Sequence, residues 1–593
     1  MKRKRFLLPI IVALSLTSCV LINDNVTISE VPIYDIDLPL EIPDNQIADL
    51  EDYKIGTINA VFRTNERYVP YLSFEQYASL YDKRLAQGAR SVVTKTGQIT
   101  IWEIYVGEQL YFYTAISYLE RLIVKAGEIS NAFKAGDDPT EIKALSFAVS
   151  HQVSTIDVSE ESYETYSFKD ISLQRLYYKN DYYYPLGFLD LTYSETSSIF
   201  NFYNYYGIYE TRDVENFSNK MFLFRNEIHN VDSQMSLYCR DIFMPSYLIK
   251  YNANMFLYTM DNFYGLKDYK GITSMKSFLI ENNIYNDFFS INSFIRGSSY
   301  YTALGLLDDG HTAIISTNNV WGEKSSGSFF VGDHTRHRAE ELRNLAIVRS
   351  EQAESPDFIE ENGIRYSDSG QTALIIFDEF IFGKDKEVFN DDGSLKEDAD
   401  QYDTYLKLVK SLKEIKTKGT VNNVVLDISL NGGGVLGVMM KVLALISKEN
   451  NSNIHLYHEA GGYVISYTTS IDSNYDGVYE ASDSFGNTFN FYIATSAYSF
   501  SAANALTFYA NLNDYAKIIG RKSGGGECAI SIHYLPNSQY VYHSSTLHIG
   551  YYDEKQSSFL GDEEGVEPDI YLENYNVFGD PNAIEEIISE TTN

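Results

Sequence analysis

Apolar and polar positions change rhythm along this chain. From about Asp52 to Asp213 apolar residues come in short or alternating runs, which predict strands over 54–62, 91–105 and 182–191. The stretch 109–123 has amphipathic spacing and is expected to be helix. From Phe217 to Leu307 the spacing turns helical. Met275, Phe278, Leu279 and Ile284, then Phe289, Phe294, Tyr301, Leu304 and Leu307, predict packed helices. They stop at Asp308-Asp309-Gly310, a turn signal before a short apolar strand. Residues 316–370 are polar, with one amphipathic helix expected over 338–350. From Thr372 to about Leu572 strands and helices alternate. Strands are expected over 372–377, 421–428, a run ending near Ala494, and 516–519, with later β segments ending near Leu547. Helices are expected over 400–416, 435–447 and 502–512. Such alternation predicts an α/β core with its loops gathered at strand ends, where sites usually sit.

The junction at 492–506 organises the rest. A buried strand gives way to a turn of small residues and then to a helix, with Ser501 at the boundary. A serine there has two readings. It is an ordinary N-cap, or a nucleophile whose following N–H, on Ala502, stabilises an oxyanion. Ser499 is the competing hydroxyl, further from the helix start. Asn431-Gly432-Gly433-Gly434, between a strand and a helix, also has more than one reading. Bare backbone of this kind cradles a phosphate, completes an oxyanion hole, or makes a tight turn. The Lys-Ser/Thr ending of a P-loop is missing. The oxyanion reading uses the N–H of Gly433 or Gly434 together with that of Ala502. Asp427, at the end of the preceding strand, is expected to orient the glycine turn.

Composition narrows the partners. With 593 residues there is room for about three or four domains. The formal charge of −34 argues against nucleic acid and against broad adhesion to an anionic membrane. The first residues look like a leader: Lys2-Arg3-Lys4-Arg5, an apolar run over 6–16, then Leu16-Thr17-Ser18-Cys19. Small residues before that cysteine resemble a bacterial lipobox, so cleavage before Cys19 and lipidation of its thiol are expected. An ordinary secretory signal is the other reading. Cys239 and Cys528 then remain, too few for a cysteine-based metal site. The 50 tyrosines have no single reading: they form surfaces that bind sugars or peptides, or reflect a biased genome composition. For the aromatics of the two segments 68–74 and 183–188, core packing is the better reading over polymer binding. Residues 68–74 and 183–188 both set an aromatic before proline and a phenylalanine soon after, which suggests a duplicated α+β unit.

Four landmarks in order carry a resemblance. They are Asp309-Gly310-His311-Thr312, the strand ending Asp427-Ile428-Ser429-Leu430-Asn431-Gly432-Gly433-Gly434, the Ser501-Ala502-Ala503 turn, and Gly565-Val566-Glu567-Pro568-Asp569. Together they resemble the tail-specific, or C-terminal-processing, serine peptidases over roughly residues 230–575. Two departures matter. Members with a Ser/Lys dyad carry a lysine about 25 residues after the serine; Gly526 stands there, with Lys522 four residues early. Too few residues separate His311 from Thr372 for a PDZ module. Both point to the tricorn-like branch, with histidine as base. Asn504 replaces a glutamate common in the family's Ser-x-x-Glu pattern.

The resemblance implies Ser501 as nucleophile and His311 as base, with His334, His337, His533, His543 and His548 able to displace it if the fold brings them nearer. A carboxylate just before the closing motif would orient the imidazole: Asp562, or Glu563 or Glu564, unless these are solvated loop groups. It implies no metal and no cofactor. The expected fold is α/β, a crotonase-like (ββα) core over 371–575. Before it come a signal peptide (1–18), a linker (19–50), an N-terminal β-rich α+β domain (51–215), a helical segment (216–320) and a connecting segment (321–370); residues 576–593 form a tail. The expected protein is an extracytoplasmic serine endopeptidase, held to the bacterial membrane by lipid and acting on protein or peptide substrates. The rival expectations are an inactive peptidase-like lipoprotein that binds peptides, and a polysaccharide-binding envelope protein.

Overall fold

The computed structural model describes residues 244–314, 332–355, 358 and 360–592 except 538. Before residue 244 it describes 28–36, 54–64, 66, 69–82, 85, 87–96, 99–117, 121–126, 148–157, 164–167, 175–196, 205–212 and 219–225. The leader, Cys19 and Cys239 lie outside these residues.

The C-terminal half is built on apolar strands too hydrophobic to face water on either side. Thr372–Ile376, Asn423–Asp427, Asn490–Thr495, Ala516–Gly520 and Ile570–Tyr571 run parallel in that order. Parallel neighbours need long crossovers, and helices Thr404–Lys418, Leu436–Ile446 and Ala502–Leu512 supply them. Asp403 starts the first by accepting the Leu406 N–H, and Gly419, at φ 72°, ends it. Every residue of the second from Gly437 onward is buried. The strands ending at Asp427 and Thr495 are paired in register, so the loops that follow them emerge side by side.

A second sheet stands beside the first. Its order is Ala313–Ile314, Tyr540–Asp553, Ser452–His458, Tyr463–Ile471 and Val149–Asp157, with Cys528–Tyr534 also paired to 540–553. Val149–Asp157 comes from the N-terminal half, so that half is sewn into the sheet that holds the strand after His311.

Around residues 54–196 two strand-to-helix units face each other. Tyr71–Ser73 leads into helix Phe74–Asp82, and Asp181–Pro185 into helix Leu186–Thr196; Leu72 pairs with Tyr184 across the antiparallel strands. These are the two stretches with matching proline and aromatic spacing. Their aromatics Tyr71, Tyr77, Tyr81, Tyr184 and Tyr193 are buried. Trp102 lies at the centre, 5.0 Å from the Phe112 ring and 5.7 Å from that of Tyr193, and its indole N–H reaches Ser91 Oγ at 2.9 Å.

Some expectations shift. Residues 109–123 are not helix but strands Gln109–Ser117 and Arg121–Ala126. Gly107, at φ 60°, turns the chain back so that 109–117 pairs with Ile99–Val106, and sheet pairing outweighs the helical spacing. The strand expected over 182–191 stops at Pro185, because proline has no N–H to continue a ladder. Ile28–Ile36, within the stretch read as a linker, is a strand paired with Lys54–Arg63, and Asn219–Arg225 extends the same sheet. No helix among the described residues is long and apolar enough to cross a membrane.

Replacing Trp102 with alanine removes the centre of the aromatic cluster. The expected cost is about 3–5 kcal/mol, read as a lower urea midpoint by circular dichroism.

Candidate active site

The strand Asn490–Thr495 ends where its apolar run ends. The serines after it tie the turn to the neighbouring strand. Ser499 Oγ donates to Ile428 O at 2.8 Å and accepts the Ser496 N–H at 3.0 Å, and Ser496 Oγ donates to Ser429 O. Ser499 is fully buried and both its functions are occupied, so it is a structural hydroxyl. Ser501 differs. Its backbone sits at φ 57°, ψ −124°, in the left-handed half of conformational space. Its N–H is held by Gly525 O at 2.9 Å and its carbonyl accepts the Ala505 N–H at 2.9 Å. Its side chain makes no capping hydrogen bond to the helix. The hydroxyl stands at a helix N-terminus without serving as the cap. Ala502 N–H is the first donor of that helix and has no acceptor within it.

The glycine turn closes on this serine. Asp427 Oδ1 accepts the Ser429 N–H and hydroxyl and a 3.0 Å bond from Arg349 Nη2. Asn431 O accepts the Phe500 N–H, and Asn431 Oδ1 accepts the Gly433 N–H at 2.9 Å. Gly433 has φ +115°, and a Cβ there would lie 2.8 Å from Ser501 Cβ and 3.2 Å from Ala502 N. Only bare backbone fits so close to the serine. Of the two glycine donors, that of Gly433 is therefore engaged by Asn431.

Two histidines border the residue before the serine. The His311 ring centroid is 4.6 Å from that of Phe500, and the His334 centroid is 6.3 Å from it. Asp309 shapes the His311 loop: one oxygen accepts the His311 N–H at 2.9 Å and the other the Thr312 hydroxyl. Thr312 Oγ1 accepts the Ser544 N–H at 3.2 Å, which pins the loop to the second sheet. His311 is buried, and its Nδ1 has no hydrogen-bond partner among the described residues. Burial, opposed by Asp309 and reinforced by Arg338, pushes the imidazole down to about 4, so it is neutral at pH 7. His334 Nε2 lies 3.1 Å from Gly524 O, and burial with Arg338 lowers it too. His337 is exposed. His533, His543 and His548 lie in the strands of the second sheet.

Arg338 is the residue that the sequence did not single out. Its guanidinium stacks 3.6 Å over the Phe500 ring, and burial lowers it to about 10, still charged at neutral pH. One arginine in an amphipathic helix carries no sequence signal of such a place. Lys522, the nearest lysine to the dyad position, pairs with Glu567 at 3.1 Å and is 42 % exposed.

The three carboxylates divide. Glu564 is exposed. Burial raises Asp562 to about 7, and Asn504 Nδ2 donates to its backbone carbonyl at 3.0 Å. Burial and then Asp309 raise Glu563 to about 8; its carboxylate accepts the Glu527 N–H at 3.0 Å. The charged groups acting on His311 are Asp309 and Arg338. Asp562 answers to Glu527, Lys522 and Glu564. The structure thus brings Ser501, the glycine turn and the His311 ring around Phe500, and leaves the imidazole without a carboxylate on Nδ1.

A hydroxyl on a strained strand-to-helix turn lies against bare backbone, and a neutral histidine packs on the ring of the residue before it. Residues 393–572 match the model of Peptidase family S41, which makes a serine peptidase the class that this part of the chain resembles. Similar solved structures include a candidate peptidase from Parabacteroides merdae, 15% identical over 56% of this chain and 93% of its own, with a TM-score of 0.39. A lipoprotein from Streptococcus agalactiae is 11% identical over 60% of this chain and 100% of its own, TM-score 0.34. Mature CPAF is 11% identical over 58% and 96%, TM-score 0.35. No curated protein sequence matches the chain.

Two expectations follow from the geometry. Gly433→Ala forces a Cβ against Ser501 in a backbone region that costs about 1–3 kcal/mol, whereas a Cβ at Gly432 meets nothing nearer than Tyr498 at 3.5 Å. Denaturant midpoints of the two variants should therefore differ, with Gly433→Ala the lower. The His311 C2 proton, followed by NMR, should titrate near 4 rather than near the ordinary 6.5. The unfolded chain takes up that proton first, so His311 removes native stability as pH falls from about 6.5 to about 4.

Proposed function

We propose that the chain is a serine endopeptidase of the tail-specific, tricorn-like kind, with a crotonase-like core, exported and held to the membrane by lipid on Cys19. The observation that carries this reading is Ser501: a left-handed backbone, a hydroxyl not spent on its helix, and Gly433 against its Cβ. Strain at such a turn persists only where the surroundings enforce it.

In the proposed reaction Ser501 Oγ attacks the carbonyl carbon of a peptide bond. His311 takes the hydroxyl proton and returns it to the leaving amine as the C–N bond breaks. Water, activated by the same imidazole, then releases the acyl group. The developing oxyanion would lie against the N–H groups of Ala502 and Gly434, since Asn431 holds that of Gly433. Asp562 is the proposed orienting carboxylate, with Glu563 the alternative. Burial keeps both carboxyls partly protonated, and a proton arriving on His311 would favour their ionised forms.

The second reading, an inactive lipoprotein that holds peptides in the same cleft, draws on one observation. Arg338 beside His311 disfavours the imidazolium that acylation must form.

A fluorophosphonate probe separates the two. Labelling of the wild type, its abolition in Ser501→Ala and a fall of about 10⁴-fold in His311→Ala are expected. Equal silence of wild type and Ser501→Ala, with no cleavage of unfolded protein, would sink the enzyme reading. Near-normal rates in His311→Ala would move the base to His334.

A further inference from the structure

One buried cluster has no part in the proposed chemistry. Glu195, near the end of helix Leu186–Thr196, meets His533 and His543 from the paired strands Cys528–Tyr534 and Tyr540–Asp553. His533 pairs with Val541, two positions from His543, so both imidazoles leave one face of the sheet as diagonal neighbours. The three residues are 2 %, 4 % and 0 % exposed. Each offers a ligand atom, and those atoms lie within 4.8 Å of one another.

Their polar atoms are unusually short of partners. Glu195 Oε1 accepts the Ser531 hydroxyl, but Oε2 stands 3.6 Å from His543 Nε2, beyond a good hydrogen bond. That oxygen and all four ring nitrogens of the two histidines have no hydrogen-bond partner among the described residues. Nearly all buried polar atoms in folded proteins have one, so five together at one point call for a shared partner. Glu527, Cys528 and His548 form a second cluster of possible ligands, but His548 Nδ1 is already 2.9 Å from Glu527.

We propose that Glu195, His533 and His543 bind one divalent transition-metal ion of the zinc class. Two imidazoles and a carboxylate suit such an ion, and a tetrahedral centre keeps one position for water. The ion would join the N-terminal half to the second sheet. It would also sit beside the support of the His311 loop, because Ser544, next to His543, donates its N–H to Thr312 Oγ1. The three side chains are proposed as ligands of a structural ion, and the inference stands whether or not Ser501 reacts.

The test uses the full chain without a histidine tag, stripped with chelator and titrated with Zn²⁺ alone. One zinc per chain by elemental analysis is expected. So are a fall in melting temperature on chelation and its recovery with Zn²⁺ but not Mg²⁺. The double variant His533→Ala/His543→Ala should lose the zinc, whereas His548→Ala should keep it. Glu195→Gln keeps the Ser531 acceptor and shape, so it should fold, and should weaken zinc binding by about 100-fold or more. Less than a tenth of an equivalent in folded wild type would overturn the proposal. So would equal zinc in wild type and folded Glu195→Gln, or a sulfur ligand in the zinc X-ray absorption spectrum, which would put the ion at Cys528.

Discussion

A left-handed backbone at Ser501 is the constraint that the core accommodates. A side-chain-bearing residue at φ 57° is held only by what surrounds it. Two loops that follow neighbouring strands do the holding. Gly525 O fixes its N–H, Asn431 O fixes the N–H of Phe500, and Ser499 ties the turn to Ile428. The loops approach so closely that a Cβ at Gly433 would strike Ser501, and one at Gly525, itself at φ 76°, would strike the Glu563 carbonyl. Glycine appears in both loops because backbone must lie against backbone. The turn then presents a hydroxyl and the Ala502 N–H in one direction.

The charge around this turn runs against the chain as a whole. The sequence carries −34, yet the group stacked on Phe500 is the half-buried cation Arg338. Asp309, the acid that acts on His311, is already engaged by the His311 N–H and the Thr312 hydroxyl. It therefore offsets burial only in part, and the imidazole stays neutral. A neutral base is ready to accept a proton, while the cation beside it opposes the charge that results.

Local features of this arrangement were legible in the sequence. Helix Ala502–Leu512 has the bounds that its spacing predicts, and Ser501 stands at its start, because strand, turn and helix are specified within fifteen or so residues. The alternation from Thr372 onward predicted an α/β core with loops at strand ends; the order of its parallel strands comes from the structure. Residues 109–123 misled because their apolar spacing satisfies both periods, and only pairing with Ile99–Val106 decides between them. Arg338 and Glu195 left no trace, since each acts on residues remote in sequence and neither type is unusual in a helix. Nor could spacing say that Asn431 would take the Gly433 N–H, or that Asp562 would answer to Glu527 and Lys522 rather than to His311.

The proposed nucleophile and its proposed base are carried by different sheets, and this shapes what the rest of the molecule is for. Ser501 follows the Asn490–Thr495 strand of the parallel sheet, whereas His311 precedes Ala313–Ile314, which pairs with Tyr540–Asp553 in the second. Among the described residues no backbone ladder runs from one to the other. Their relative position depends on how the sheets pack, on the Phe500 ring wedged between His311 and Arg338, and on the chain of hydrogen bonds from Ser544 through Thr312 to Asp309. The N-terminal half enters here through Val149–Asp157 and Glu195, both of which reach the second sheet. A displacement of that sheet by even an ångström would move the imidazole against the serine, and positioning errors of that size cost about 10²-fold in rate. The Tyr-rich half is thus tied mechanically to the site, whatever else it binds.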